Sequence, residues 1–192
     1  MKLILSSRDF RNEASRQVIL SHLPKPIDQC RVLFIPNEKW TPERLDTGFY
    51  VRRLQEFGFS KELVSIFDPR CPDSFRNLAF DVIYASGGNS FELLSLLRRC
   101  SFDQEIICYL QSGVVYIGGS AGAHLVSADL SHLSRYDAVP EGMTDFRGLG
   151  LYRGIFLCHF SADRQAHLEQ LSSEGRFPVH PLTDADSLLI TD

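Results

Sequence analysis

The stretch "VVYIGGSAGAHLV", Val114 to Val126, decides how the whole chain is read. An apolar run enters two glycines, meets Ser120, and leaves through Ala-Gly-Ala toward His124. Such a run, without polar alternation, is how a strand buried on both faces reads, and the small residues after it allow a sharp turn into a helix. Gly118, Ser120 and Gly122 satisfy G-x-S-x-G, the spacing of a nucleophile elbow, where a serine sits on a strand-to-helix turn with strained backbone angles. Side chains beside such a serine would collide with the turning chain, and all four nearest neighbours of Ser120 are Gly or Ala. The amide of Ala121, opening the next helix, is expected to point at the oxygen of an attacked carbonyl. A phosphate-binding loop is disfavoured, because no G-x-x-x-x-G-K-[ST] is present and no lysine lies nearby.

Working outward, the same kind of run recurs at "KLILSS" (2–7), "RVLFIP" (31–36), "LVSIFD" (63–68), "DVIYASGG" (81–88), "GIFLCHF" (154–160) and "SLLITD" (187–192). Helical candidates lie between them. "TPERLDTGFYVRRLQEFG" (41–58) offers Thr41 as N-cap, Pro42 at the first helical position and Gly58 as a stop. "NSFELLSLLRR" (89–99) opens on a capping residue, and "ADRQAHLEQLSS" (162–173) sets Ala166, Leu168 and Leu171 on a polar background. Strand alternating with helix predicts an α/β fold, a three-layer sandwich with a largely parallel central sheet. Ligands of such sheets sit outside the carboxyl ends of the strands, which directs attention to "SGGNS", "GGSAGA" and "HF".

The totals agree with one domain over residues 1–192: 44% apolar and 23% charged residues describe a folded chain. A net charge of -4 gives no reason to expect nucleic acid as a partner. Arg98-Arg99 reads as the solvated end of a helix. "MKLILSSRDF" has too short an apolar run for a signal peptide, and no run is long enough to span a bilayer, so no membrane association is expected. The five cysteines form no CxxC pair, which reads as free thiols in a reducing cytoplasm rather than as a zinc site. No metal or organic cofactor is expected. Oligomeric state is not legible, and a homodimer stays open.

A serine nucleophile needs a base. Of six histidines, His159 ends an apolar run, where catalytic groups are expected, whereas His124 lies on the helix after Ser120 and reads as a packing or surface residue. His22 reads as a surface residue, and His167 falls in a polar helix. A carboxylate should fix the imidazole tautomer, and Asp129, Asp137, Asp145, Asp184 and Asp186 are all open candidates. Gly87 or Gly88 could offer a second amide to an oxyanion. The order, with His159 ahead of the late carboxylates, differs from the Ser-acid-His order of α/β-hydrolases.

Together these segments resemble the peptidase E family of serine aspartyl dipeptidases, whose relatives include cyanophycinases. "GGNSFELLSLLR", "YIGGSAGAHL", "HF" at 159–160 and "PLTDADSLLI" carry the likeness, in the right order over nearly the whole chain, with Cys158 where a proline is usual. The resemblance implies a class I glutamine amidotransferase-like fold. It implies Ser120 as nucleophile, His159 as base and the amides of Gly88 and Ala121 as the oxyanion hole. It places Asp184 where the family has a glutamate, one methylene longer, with Asp186 in reserve. It also implies a small peptide substrate with an N-terminal aspartate, with Asn89 and Arg164 as binding residues. Two other readings share these residues: another acyl hydrolase on the same scaffold, such as an esterase or an isoaspartyl or cyanophycin-type peptidase, and an inactive binding or regulatory homologue.

Overall fold

A computed structural model of the chain describes residues 1–36 and 41–191. Strands and helices alternate along it: β1 (Lys2–Ser6), α1 (Glu13–His22), β2 (Val32–Ile35), α2 (Pro42–Asp46), α3 (Phe49–Phe57), β3 (Val64–Ile66), β4 (Val82–Ala85), α4 (Ser90–Arg99), α5 (Phe102–Gln111), β5 (Val115–Gly119), α6 (Ala121–Leu125), β6 (Ile155–Leu157), α7 (Gln165–Glu174), β7 (Val179–Pro181) and β8 (Ser187–Thr191). Asp192, the last residue of the expected final strand, lies outside the described residues. Six strands form one sheet in the order β3-β2-β4-β5-β1-β8, all parallel except β8, which runs antiparallel to β1.

The central strands are buried on both faces, which is why they lack polar alternation. Leu3, Leu5, Leu33 and Ile83 join a core with Phe91, Leu94, Ile106 and Leu125 from α4, α5 and α6. Ile4, Val32, Phe34, Val82 and Tyr84 face the other way, into a core with Ile19 and Leu54 from α1 and α3. The sheet therefore sits between two helical layers, as the α/β reading requires.

Three features depart from the expected layout. The helix over 41–58 is two helices, because Gly48 (φ 67°) interrupts it; the Thr41 cap and the Gly58 stop (φ 113°) both stand. β6 does not join the main sheet but pairs in parallel with β7, a three-residue strand ending in Pro181 that has no clear signal in sequence. Arg98 is not simply solvated, since its guanidinium donates to the carbonyls of Asp145 and Arg147 and pins that loop. Among the described residues no helix is long and apolar enough to cross a membrane, and no cluster of three His, Cys, Asp or Glu side chains could hold a metal ion.

Two packing details around α6 position the site. A Cβ on Gly122 would run into the carbonyl oxygen of Ala85, so α6 can lie on β4 only without a side chain there. The hydroxyl of buried Tyr116 donates to the Gly122 carbonyl (2.8 Å). His124 is buried between α4 and the end of β6, where its Nε2 accepts from the Cys158 amide (3.4 Å) and its Nδ1 lies 3.0 Å from Ser90 Oγ. With Nε2 accepting, Nδ1 carries the proton. Burial, helped by neighbouring His132, His159 and Arg164, lowers its pKa to about 3, so the folded ring stays neutral.

Two outcomes are expected. Alanine is the better helix former by about 1 kcal/mol, but a clash with backbone cannot be relieved by a rotamer change. Gly122→Ala should therefore lower stability by about 1–3 kcal/mol, seen as a lower urea midpoint at constant m-value; an unchanged midpoint would show that the two backbones separate freely. His124 should make stability fall as pH drops from its unfolded value of 6.5 toward 3, because only the unfolded chain gains that proton. Between pH 6.5 and 5, stability should fall less steeply in His124→Gln than in wild type, by about 1 kcal/mol per pH unit. Equal slopes would mean that the folded ring takes up the proton.

Candidate active site

The elbow is real in its geometry. Ser120 joins β5 to α6 at φ 50° and ψ −107°, outside the regions an L-residue normally occupies. Its amide donates to the Ser6 carbonyl (2.8 Å), and its carbonyl accepts from the amides of Ala123 (2.8 Å) and His124 (2.9 Å). The chain is thus held on both sides of a turn that would otherwise relax. Ala121 is the first residue of α6, and Gly88, at φ 139°, lines the pocket over Ser120. Gly87 comes close as well: a Cβ there would lie 3.3 Å from Ser120 Cβ.

His159 leaves β6 at φ 54°, a second non-glycine residue in the left-handed region. Its amide donates to Ser7 Oγ (3.0 Å), and Ser7 Oγ donates to the Leu182 carbonyl (2.9 Å). Leu182 in turn donates to Leu157 (3.0 Å) and accepts from Phe160 (2.8 Å). One buried serine after β1 thereby ties together the exits of β6 and β7. The ring that results lies 2.9 Å through Nε2 from Ser120 Oγ and 2.6 Å through Nδ1 from Asp184 Oδ1. With Nδ1–H facing a carboxylate, Nε2 is left to accept from the serine hydroxyl. Burial opposes ionisation of Asp184, but hydrogen bonds from His159 and Arg8 outweigh it and lower its pKa.

Of the five candidate carboxylates, Asp184 is the one brought to His159. Asp186 accepts from the Thr183 amide (2.8 Å), Asp129 from the Ser131 amide (2.8 Å), and Asp145 is engaged with Arg147 (2.8 Å). Asp137 lines the same pocket and accepts from the Ser90 amide (2.8 Å). Aspartate in place of the longer glutamate does not prevent the bond to His159. His22 is only partly buried, whereas His167 is buried, its Nδ1 2.8 Å from the Tyr136 hydroxyl. Cys158 faces inward, and burial pushes its thiol up to about 12. Asn89 is not brought to the pocket wall: its Oδ1 caps α4 through the amides of Phe91 and Glu92, and its Nδ2 donates to Ala138 (2.7 Å).

Arg164 does line the pocket. Its guanidinium donates to the Cys158 carbonyl and stacks 4.0 Å over the Tyr136 ring. Two further arginines, absent from the sequence reading, share that wall. Arg8 donates to Asp184 Oδ2 (2.8 Å), and Arg11 donates through Nε to the buried Asp9 carboxylate (3.2 Å). Both follow β1, whose carboxyl end obeys the same rule that pointed to the other turns.

Comparison with known proteins identifies the family. The family model of peptidase family S51 matches residues 3–192. An uncharacterized peptidase of Listeria monocytogenes is 28% identical over 169 residues, covering 83% of this chain and 81% of its own. An uncharacterized peptidase of Pasteurella multocida is 34% identical over 119 residues, 58% of this chain and 56% of that protein. A crystal structure of a Listeria monocytogenes protein named as a peptidase E superposes with a TM-score of 0.75 at 22% identity, covering 98% of this chain and 93% of the other. At that identity the superposition speaks for the fold, and the match over residues 3–192 speaks for the family. The chain belongs to peptidase family S51, the peptidase E family, and is a serine peptidase.

Proposed function

We propose that this enzyme hydrolyses short peptides, dipeptides with an N-terminal aspartate foremost, through an acyl-enzyme on Ser120. The observation that carries the reading is the unbroken chain Ser120–His159–Asp184, with contacts of 2.9 and 2.6 Å, whose Ser120 and His159 line one pocket with Arg8, Arg11 and Arg164. Ser120 Oγ attacks the peptide carbonyl while His159 Nε2 takes its proton. Asp184 holds the Nδ1–H tautomer and stabilises the imidazolium that forms. The amides of Gly88 and Ala121 receive the developing oxyanion. His159 then gives its proton to the leaving amine, and water, activated by the same ring, releases the acyl group. Arg164 provides the cation for the substrate's aspartyl carboxylate, a contact that guanidinium geometry favours. Five free cysteines, two of them buried, suit a cytoplasmic enzyme. The intact chain of hydrogen bonds supports an active enzyme over a regulatory homologue.

Two measurements test this. On an Asp-linked chromogenic substrate, Ser120→Ala should lose about 10⁴-fold or more in kcat with the fold intact; rates equal to wild type would remove Ser120 from the chemistry. Arg164→Ala should narrow the ratio of kcat/KM for Asp over Leu substrates by about tenfold to a hundredfold. Both substrates use the same serine and histidine, so a displaced His159 cancels from that ratio. An unchanged ratio would mean that acidic specificity does not come from Arg164.

A further inference from the structure

We infer that Arg8 is a positioning residue for the hydrolytic machinery: by binding one oxygen of Asp184 it turns the other toward His159. The inference rests on the triad reading above and concerns a residue outside the triad. Arg8 donates from Nε to Asp184 Oδ2 at 2.8 Å, and a second guanidinium nitrogen reaches the same oxygen at 2.8 Å. Asp184 Oδ1, the remaining oxygen, is the one that meets His159 Nδ1 at 2.6 Å. Each carboxylate oxygen thus has its own partner, and rotation of the carboxyl group would break both contacts.

That restraint matters because of where Asp184 stands. It follows β7 on a turn, and its side chain is 44% exposed, so water competes for both oxygens. In many triads burial fixes the acid, but here that constraint is weak. The Arg8 side chain is itself 50% exposed, so the ion pair adds little to folding stability. What it supplies is direction. Arg8 is placed for the task from its backbone: the Arg11 amide donates to its carbonyl (3.0 Å), and the preceding Ser7 holds the His159 amide (3.0 Å) and the Leu182 carbonyl (2.9 Å). The same two-residue turn therefore sets the backbone of the base and the side chain of the acid.

The test is a double-mutant cycle on the Asp-linked substrate, with Arg8→Ala, Arg8→Lys, Asp184→Asn and the Arg8→Ala/Asp184→Asn pair. Arg8→Ala should lower kcat by at least about tenfold with KM nearly unchanged, and Arg8→Lys should recover part of the loss. In the Asp184→Asn background, removing Arg8 should change kcat by less than about twofold, because its route to His159 is already cut. A raised KM at unchanged kcat would make Arg8 a substrate contact and overturn the inference. So would the same fractional loss in both backgrounds. Ser120→Ala, run in parallel, separates the two levels. Activity that survives Ser120→Ala overturns the triad reading and this inference together. Ser120-dependent activity indifferent to Arg8 overturns this inference alone.

Discussion

The site is built on one close approach, that of α6 to β4, where Gly122 lies against the carbonyl oxygen of Ala85. That contact brings the first turn of α6 over the ends of β4 and β5. It sets Ser120 beside Gly87, where a Cβ would be 3.3 Å from the serine's own Cβ. The glycine turns after the two strands, separate in sequence, thus answer one requirement: two backbones must pass close enough for a serine and a second turn to border one pocket. Gly119 adds to it, since a Cβ there would enter the space of the Asp9 carboxylate. The small residues around Ser120 are explained first by backbone meeting backbone. Access for a substrate carbonyl follows from the same lack of side chains.

Such packing also carries strain. Among the described residues five non-glycine positions have positive φ, and three of them, Asp9, Ser120 and His159, stand at the exits of β1, β5 and β6 around this pocket. Each conformation costs on the order of 1–3 kcal/mol and survives only where its surroundings over-determine it. The over-determination is visible at each point. Ser120 is held by Ser6, Ala123 and His124, His159 by Ser7, and the Asp9 amide by Ser6 Oγ (2.9 Å). The core formed by the strands offsets a cost that a loop alone could not sustain.

This distribution of constraints explains what could be read from the sequence. The sheet was legible because doubly buried strands lack alternation, and Ser120 was legible because a strand, a tight turn and a helix are consecutive. His159 was found as the end of an apolar run, although β6 belongs to the small β6–β7 pair rather than to the main sheet. Asp184 was not separable from four other aspartates by residue pattern, because what selects it is the Ser7 tie between distant strand exits, and such a tie leaves no periodic trace. Ser7, Arg8 and Arg11 escaped for a different reason: the strand-end rule applies equally to "KLILSS", but neither a glycine turn nor a histidine marks the end of that strand. α5 is absent from the helices expected above although Phe102, Ile106, Tyr109 and Leu110, buried on one stripe, give it a readable period, while Pro181 hid β7.

The charges around the pocket divide the three arginines by task. Arg11 is matched by the buried Asp9, and Arg8 by Asp184, so both cations are largely offset by carboxylates they hold in place. Arg164 is supported instead by neutral groups, the Cys158 carbonyl and the face of the Tyr136 ring, and among the described residues it forms no ion pair. A guanidinium fixed by a carbonyl and a ring has already lost much of its rotamer freedom, so an arriving anion has less ordering to impose. The remaining carboxylate of that pocket, Asp137, accepts from the Ser90 amide (2.8 Å), so the Arg164 guanidinium is not tied to it by an ion pair. On the proposed reading, Arg8 and Arg11 are therefore scaffolding, and Arg164 is the arginine whose charge remains for the substrate.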